Sequence, residues 1–424
     1  MADVHLPKGM RDILPQQMIL RQRVISTIQQ VFLRYGFAPL ETPAMERIET
    51  LTGKYGDEGD KLIFRVLKRG EGGQQGEVDQ ALRYDLTVPL ARVIAMNPQL
   101  PMPFKRSQVQ PVWRADRPQK GRFREFYQCD VDTVGAPVGL ADAECIAVVH
   151  DCLLALGFTD FTIRLNHRRW LAALALAVNA AEREGELIVA IDKLDKIGRD
   201  GVSRELLGRG FTQGQIDRVW ELLDGAPLAG SEQALAELDQ VEALALAMGV
   251  DRQRLLRDRT LARGLDYYTG PVFETVLTDG GLGSVSGGGR YDGLIGMFCG
   301  REIPAVGVSL GLERLIVLME ERGMLGGSSS ATRVWVTVFS DETLPASLAA
   351  VSAFRQAGVP AEISLAGGKL GKQLKAADSR GVPFAVVIGP DEAAAGTVKL
   401  KDLRSGEEQV LSLSLAIDQL GAAS

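Results

Sequence analysis

Closely spaced strand-like segments in the early part of the chain constrain its fold more than any other sequence feature. These short alternating or apolar segments lie at 62–67, 81–84, 109–113 and 126–131. A parallel pair of strands requires a long crossover, usually a helix, whereas antiparallel strands can follow one another directly. Because a helix does not separate each segment from the next, we expect an antiparallel sheet rather than βαβ units.

Helical periodicity flanks these segments. Apolar residues recur at helical spacing over 16–35, and Gly36 stands where a helix commonly ends. A second helix is predicted over 140–156, followed by a strand at 161–165. Helices packed beside an antiparallel sheet define an α+β core.

The composition of the chain changes at Arg168. Ala, Leu, Glu and Arg then dominate with helical spacing, and aromatic and β-branched residues become sparse. Strand signals return at 260–277 and 303–308, before a helix that is predicted over 311–321. The sequence thus predicts a core in two parts with a helical insertion between them, and the boundaries of the three segments are 1–168, 169–255 and 256–325.

A glycine- and serine-rich stretch, Gly326–Ala331, has the composition of a flexible linker. Strands and helices are then predicted in turn at 334–339, 344–357, 361–364, a lysine-rich helix, 384–388 and a hairpin through 397–401. A strand-helix-strand order of this kind indicates partly parallel pairing. We therefore expect a separate α/β domain over 332–424.

Composition and charge limit the class of protein. With 46% hydrophobic and 24% charged residues, the chain is expected to be a soluble globular protein. Residues 1–15 do not resemble a secretory leader, and no apolar run reaches the ~18 residues of a membrane span. The four cysteines form no C-x-x-C pair and no zinc-ligand spacing with the three histidines. We expect buried free thiols, a cytoplasmic protein without a membrane partner, and no metal ligated by the protein.

Any nucleotide must be held by side chains, because the chain lacks both a G-x-x-x-x-G-K-[ST] loop and a G-x-G-x-x-G motif after a strand. Basic residues cluster around a Pro…Gly turn between two strand-like runs, which predicts a hairpin with a basic tip. The net charge of −6 does not exclude local patches that bind phosphates. The basic residues are Arg114, Arg117, Lys120, Arg122 and Arg124.

Alternate side chains on the return strand of this hairpin would share one face. An arginine, an aromatic ring and an amide on one face suit a phosphate, a stacked base and a small polar substrate. A solvated hairpin with scattered charge fits the spacing equally well. The residues on that face are Arg122, Arg124, Phe126 and Gln128.

Three stretches resemble the motifs of class II aminoacyl-tRNA synthetases. Arg114-Ala-Asp116 is similar to motif 2, whose usual pattern is Arg-x-Glu. Asp116 replaces the Glu with an acid whose side chain is shorter. Gly311-Leu-Glu-Arg314 resembles motif 3, and 37–46, which contains Pro43, resembles motif 1. The run Arg117-Pro-Gln-Lys-Gly-Arg-Phe-Arg124 is typical of the histidine-specific branch of this class.

The most specific resemblance is that of Leu261-Ala-Arg-Gly-Leu-Asp-Tyr-Tyr-Thr-Gly270 to a signature of histidyl-tRNA synthetases. A second signature-like stretch, Ser286-Gly-Gly-Gly-Arg-Tyr-Asp-Gly293, follows at the family's distance, although a glycine run by itself also fits a tight turn. Residues 82–92 resemble a further sequence block of the family. Residues 368–378 resemble part of the anticodon-binding domain. The chain is identified as a member of this family over essentially its whole length, least closely in the insertion.

This resemblance implies a homodimeric histidine–tRNA ligase. Such an enzyme activates L-histidine with ATP to histidyl-adenylate and transfers it to the 3′ end of tRNA(His), releasing AMP and pyrophosphate. The attacking carboxylate is already ionised at neutral pH, so the reaction needs orientation and charge cancellation rather than a general base. Magnesium is expected on the phosphates, held largely by ATP itself. The core (1–168 and 256–325) would be catalytic, and 332–424 would bind the anticodon.

The family also implies roles for individual residues. Arg263 and Arg114 would grip the α-phosphate and the carboxylate, with Arg263 nearest the chemistry. Asp132, a Glu in many members, and Tyr267 would face the imidazole nitrogens. The residues expected to bind ATP are Arg114, Arg122, Arg124, Phe126 and Arg314. Those expected to bind histidine are Asp85, Thr87, Arg114, Gln128, Asp132, Arg263, Tyr267 and Tyr268, although simple packing is an alternative for Thr87 and Tyr268.

Contacts with tRNA are expected at two places. Arg117 and Gln119 on the hairpin tip suit the acceptor end, since both side chains can bind base edges or phosphates. Lys369, Lys372 and Lys375 are spaced to lie along one side of a helix and would face phosphates. A merely solvated helix face fits this lysine spacing equally well.

Three other classes of protein compete with this interpretation. A regulatory subunit of ATP phosphoribosyltransferase shares the catalytic fold, but it should lack the 263–270 stretch and the C-terminal tRNA domain. An adenylating enzyme that does not use tRNA would not need the lysine-rich terminal domain. A pure RNA-binding module would not need the motif 2, motif 3 and Arg263 arginines.

Overall fold

The computed structural model describes residues 4–262, 267–278, 283–326 and 330–421, apart from the side chains of residues 57 and 58. The chain forms two compact units, one of Met1–Arg11 and Val24–Met324, the other of Asp12–Arg23 and Leu325–Ser424. Part of the predicted linker, residues 327–329, lies outside the described ranges.

An eight-stranded sheet forms the centre of the first unit. Its neighbouring strands are antiparallel, except that the outermost pair at each edge is parallel. The predicted antiparallel sheet is thus confirmed. In spatial order the strands are β1 (Ala38–Pro39), β5 (Phe104–Trp113), β6 (Glu125–Val134), β11 (Ala305–Gly311), β10 (Ser284–Arg290), β9 (Pro271–Leu277), β7 (Phe161–His167) and β8 (Leu255–Arg257).

The four early strand-like segments divide between two sheets. Those near 109–113 and 126–131 become β5 and β6, which pair along their full length. The two earlier segments join a separate three-stranded sheet of β2 (Met45–Arg47), β4 (Val78–Leu82) and β3 (Arg65–Leu67). Local spacing indicates antiparallel pairing, but it carries no information about which sheet a strand joins.

A run of glycines in β10 forms a strand rather than a tight turn. Gly287, Gly288 and Gly289 pair with both β9 and β11. A side chain at Gly288 would collide with the carbonyl oxygen of Gly307, and one at Gly289 would come within 2.8 Å of the Pro271 carbonyl oxygen. Glycine is therefore required for close approach of three backbones and not for chain reversal.

Several helices pack against the strands of the central sheet. The buried helix α6 (Leu140–Ala155) contacts both β11 and α11 (Glu232–Ala247). The helices of the core are α1 (Pro15–Arg34), α2 (Ile48–Leu51), α3 (Gly56–Asp60), α4 (Glu71–Gln74), α5 (Thr87–Met96), α6 (Leu140–Ala155), α12 (Gly296–Cys299) and α13 (Leu312–Glu321). Those of the segment predicted as an insertion are α7 (Arg168–Ala177), α8 (Glu184–Ile191), α9 (Leu194–Gly208), α10 (Gln213–Leu223) and α11 (Glu232–Ala247).

Helices α7 to α11 bury a hydrophobic cluster that includes Trp170, Leu187, Phe211 and Trp220. The helix α10 begins with a reciprocal cap, in which the Thr212 hydroxyl and the Gln215 side chain each accept from the other's backbone N–H. Such a box satisfies two otherwise unpaired N–H groups of the first turn.

The second unit contains a five-stranded sheet in which the first three strands in spatial order are parallel and the last two form an antiparallel hairpin. Apolar side chains of its strands and helices, such as Phe354 and Val386, form its core. Across the described residues, no helix combines the length and apolarity needed to cross a bilayer. The elements in chain order are β12 (Val334–Val336), α14 (Leu344–Gln356), β13 (Ala361–Ile363), α15 (Leu370–Ser379), β14 (Phe384–Val387), α16 (Pro390–Ala395), β15 (Thr397–Asp402), β16 (Glu408–Ser412) and α17 (Leu413–Gly421).

Candidate active site

A cavity of about 370 Å³ opens on one face of the central sheet. Strands β6, β10 and β11 supply its floor, and the hairpin loop and the start of α13 supply its walls. Its polar and aromatic lining includes Asp85, Thr87, Arg114, Asp116, Arg122, Phe126, Gln128, Asp130, Asp132, Tyr267, Tyr268, Tyr291, Ser309, Glu313 and Arg314.

Alternate residues of β6 form a row along the cavity floor. Phe126, Gln128, Asp130 and Asp132 all line it, as the two-residue period of a strand requires. Phe126 is half-buried near the hairpin loop, whereas Asp130 and Asp132 are each only 2% exposed. The row therefore runs from an aromatic outer end to an acidic inner end.

The inner end holds a buried ion pair. Asp132 Oδ2 lies 2.8 Å from Arg106 Nη2, and the Tyr291 hydroxyl donates to Asp132 Oδ1. Burial raises the pKa of Asp132, while the Arg106 charge and the Tyr291 hydrogen bond lower it. The opposed position on β11 is Gly307, where a side chain would strike Asp132 Oδ1.

A second buried acid stands just before α5. Asp85 Oδ1 accepts hydrogen bonds from the Tyr55 hydroxyl and the Val88 backbone N–H, both at 3.0 Å. The Tyr267 hydroxyl donates to Asp85 Oδ2 at 3.4 Å. Burial raises the pKa of Asp85, and the Val88 hydrogen bond opposes that shift. The Tyr267 hydroxyl is thus hydrogen-bonded to Asp85, while the hydroxyl that bonds Asp132 is that of Tyr291.

Arginines and a phenylalanine surround the outer end. The Arg114 guanidinium lies 4.3 Å from the Tyr84 ring centroid and 5.1 Å from that of Phe126. Arg122 donates to Asp116 at 3.1 Å, and Arg314 donates to the Ser284 carbonyl oxygen. All three arginines and Phe126 line the same cavity, so this end offers both positive charge and an aromatic face.

Some predicted residues lie away from the cavity. Arg124 does not line it, because its side chain donates to the backbone oxygens of Asp116 and Lys8. Arg117 and Gln119 lie on the exposed hairpin tip. Arg263, assigned nearest the chemistry, lies outside the described residues.

The predicted lysine stripe lies on the second unit. Lys369 precedes α15, and Lys372 and Lys375 lie within it. All three are exposed, while Gln373 in the same helix is buried and hydrogen-bonds the Val338 backbone. Exposure of the three lysines fits a stripe that faces phosphates and a merely solvated helix face equally well.

Sequence reasoning missed several buried residues of the cavity. Asp130 lies between Gln128 and Asp132 on the same face, and strand alternation alone could have predicted its position. Tyr291, just after the glycine strand, lines the cavity, and the buried Arg106 of β5 pairs with Asp132. Tyr291 lies within the signature-like stretch 286–293, but its place in the site, like that of Arg106, is shown only by its contact with Asp132.

An antiparallel sheet that carries a cavity lined by arginines at the motif 2 and motif 3 positions defines a class II aminoacyl-tRNA synthetase catalytic domain. Comparison with known proteins identifies the branch. The family model described as histidyl-tRNA synthetase matches residues 9–315, and the model described as anticodon binding domain matches residues 333–422.

Curated relatives match along nearly the entire chain. The histidine–tRNA ligase of Cytophaga hutchinsonii is 42% identical, over 98% of this chain and 99% of the relative. That of Aeropyrum pernix is also 42% identical, over 97% and 96%. A crystal structure of histidyl-tRNA synthetase from Nostoc sp. has a TM-score of 0.85 at 35% identity, covering 99% of this chain and 100% of that one.

A structure from Bacillus halodurans, described as an ATP phosphoribosyltransferase regulatory subunit/histidyl-tRNA synthetase, has a TM-score of 0.72. It covers 90% of this chain and 98% of that one, and at 23% identity it shows the shared fold alone. The chain belongs to the histidyl-tRNA synthetase family. Its activity is therefore the ATP-dependent ligation of histidine to tRNA.

Proposed function

We propose that the cavity on β6, β10 and β11 is where histidine and ATP react. The observation that carries the proposal is its division into an acidic inner end and an outer end lined by arginines and Phe126. Histidine brings two groups that bind carboxylates, its ammonium and its ring N–H groups, whereas ATP brings phosphates and a purine. Each substrate thus meets complementary chemistry at one end.

At the inner end, Asp132 and Tyr267 take the imidazole, with Tyr268 beside them, and Asp85, Thr87 and Gln128 take the ammonium. Supporting this role, Asp85 and Asp132 are both buried and already hold hydrogen-bond donors. An amino acid with an apolar side chain would leave Asp132 and Tyr267, the groups that take the imidazole, without a polar partner from the substrate, at a cost of roughly 1–3 kcal/mol for each.

At the outer end, Arg114, Arg122 and Arg314 bind the ATP phosphates, and Phe126 stacks on adenine. Arg124 acts indirectly, by fixing the loop through the Asp116 carbonyl. Within the described residues, no group of three acids, histidines or cysteines is arranged to hold a metal ion. Magnesium would be held largely by the phosphates of ATP, whose oxygens are the ligands this ion prefers.

Arg263 neutralises the charge that develops on the α-phosphate. Its support is the signature itself, in which the neighbouring Tyr267 and Tyr268 line the cavity. Arg263→Ala should lower histidine-dependent exchange of pyrophosphate into ATP by about 10²–10³-fold, the effect expected for loss of one preorganised charge-stabilising group. Arg404→Ala, in the second unit, is the control. Activity of Arg263→Ala within tenfold of the unmodified enzyme would remove Arg263 from the chemistry.

The tRNA-binding residues are Arg117, Gln119, Lys369 and Lys372, all of them exposed. We further infer that the protein is a cytoplasmic homodimer joined through residues 37–46. Free cysteines, three of them buried, agree with a reducing compartment. Sedimentation at low micromolar concentration tests the dimer, and a monomer of 45.8 kDa would contradict it.

A further inference from the structure

Asp130 is a buried acid in the cavity to which the reaction outlined above gives no role. It is 2% exposed, and its Oδ1 has no hydrogen-bond partner among the described residues. The Ser309 hydroxyl hydrogen-bonds its carboxylate. An unpartnered, buried carboxylate oxygen on a residue that lines a cavity normally indicates a missing ligand or a bound proton.

The charges around Asp130 leave an excess of negative charge. Its own strand supplies Asp132, β5 supplies Arg106, and the segment before α5 supplies Asp85, while β11 supplies only the neutral Ser309 hydroxyl. The buried guanidinium is already paired with Asp132 at 2.8 Å. Three buried carboxylates beside one such cation cannot all remain ionised cheaply.

The spacing of the two β6 acids fits one imidazole ring. Residues two apart on one strand face are separated by roughly 6.6 Å. A ring held by Asp132 and Tyr267 would therefore lie within reach of the Asp130 carboxyl as well, so that the proton occupancy of each group affects the other. Burial raises the pKa of Asp130 to about 7, the Arg106 charge lowers it, and the Asp132 charge raises it further. This value lies close to the pKa of a histidine ring, about 6.5.

We propose, on the basis of the histidine subsite assigned above, that Asp130 is a specificity-determining residue that shares a single proton with the imidazole of bound histidine. In the complex, the ring and the Asp130 carboxyl together carry one proton. Below pH 6.5 both free partners are protonated, and binding releases a proton. Above pH 7 neither is protonated, and binding takes one up. Affinity is therefore greatest between these two values.

Calorimetric titration of the full chain with L-histidine, from pH 6 to 8.5, tests this linkage. Titrations in two buffers of different ionisation enthalpy give the number of protons exchanged on binding. This number should change from release to uptake near pH 7, and the uptake should approach one proton per histidine by pH 8. Affinity should fall about tenfold more in the unmodified protein than in Asp130→Asn between pH 7 and 8.5. The substrate ammonium titrates identically in both proteins, so this comparison removes its contribution.

Ser309→Ala provides a second variant that keeps the acid. The Ser309 hydrogen bond lowers the pKa of Asp130, so its loss should move the alkaline fall in affinity to higher pH. Asp160→Asn, which alters an acid paired with Arg322 outside the cavity, should retain the pH profile of the unmodified protein. The Ser309 result decides the question even if Asp130→Asn fails to fold.

Parallel pH profiles for the unmodified protein and Asp130→Asn, or no proton uptake at pH 8, would overturn the proposal. Either result could occur while histidine still binds and supports pyrophosphate exchange, leaving the subsite assignment intact. Absence of histidine binding at every pH, with exchange supported by another amino acid, would instead overturn the subsite assignment and the Asp130 role with it.

Discussion

Among single residues, Asp130 combines deep burial with an incomplete set of hydrogen bonds. Its folded-state pKa of about 7 exceeds the ordinary value of 3.8 because burial disfavours the charged form. The folded protein therefore retains a proton that the unfolded chain loses as the pH rises from about 4 to 7. The proton held by Asp130 therefore stabilises the folded state below about pH 4, and this stabilisation is lost as the pH rises from about 4 to 7.

Asp130→Asn should consequently stabilise the protein at alkaline pH. Relative to the unmodified chain, its free energy of unfolding should rise by roughly 2–4 kcal/mol more at pH 8 than at pH 4. Urea unfolding at the two pH values measures the difference. A stability gain that is equal at both would mean that Asp130 does not titrate with a raised pKa.

Arg290 shows the opposite arrangement, a buried charge with every direction occupied. It is 2% exposed and donates to both oxygens of Asp142, to the carbonyl oxygens of Ala136 and Pro137, and to Asp292. These bonds join the end of the glycine strand to the first turn of α6. The adjoining Tyr291 is thereby directed toward Asp132.

Arg290→Met should destabilise the protein by about 3–5 kcal/mol, because it leaves Asp142 buried without its cation. The matched control is Arg380→Met, which breaks an exposed pair with Glu362 and should cost less than about 1 kcal/mol. Thermal and urea unfolding compare the two variants. Equal losses of unfolding free energy in the two variants would show that the buried pair of Arg290 stabilises the protein no more than the exposed pair does.

At the scale of elements, the central position of β10 depends on residues without side chains. Its neighbours β9 and β11 approach so closely that a Cβ at Gly288 would overlap backbone and aromatic atoms on both sides. Since β11 also carries Gly307 against Asp132, the same close packing determines the depth of the acidic end.

Gly288→Ala should therefore separate the strands and cost at least about 1–3 kcal/mol of stability, as overpacking does in other cores. Gly293→Ala is the paired control, because a Cβ there meets nothing within 4 Å. Melting temperatures of the two variants provide the comparison. Equal melting temperatures for Gly288→Ala and Gly293→Ala would mean that the strand accommodates a side chain at position 288, which these distances exclude.

At the scale of the whole molecule, the residues that line the cavity belong to the first unit, and the lysine stripe on α15 belongs to the second. Each unit buries a hydrophobic core of its own. Activation requires the cavity, whereas selection of a tRNA requires a further surface. The two reaction steps should therefore respond differently to loss of the second unit.

Deletion of residues 331–424 should spare part of the pyrophosphate exchange and reduce charging of tRNA by at least about 10²-fold, because phosphate and anticodon contacts would be lost. Both activities are measured on the same preparation, with Lys372→Glu in the full chain as the milder control. Proportional loss of exchange and charging in the deletion would contradict the expected independence of the first unit.

Sequence periodicity determined the local elements of this protein. Apolar spacing predicted the helices that became α1 and α6, and alternation predicted the β5–β6 hairpin, because both patterns depend on residues a few positions apart. The family signatures, such as that ending at Gly270, also determined the histidine and tRNA assignment, since each is a contiguous run of residues.

Only the tertiary structure decided how those elements form a site. It placed two early segments in a separate sheet, extended the glycine run as a central strand and kept Arg124 out of the cavity. It also joined Asp132 to Tyr291, 159 residues away. Such contacts follow from burial and long-range packing, where a charge needs its partner, and no local pattern in the chain records which distant residue that will be.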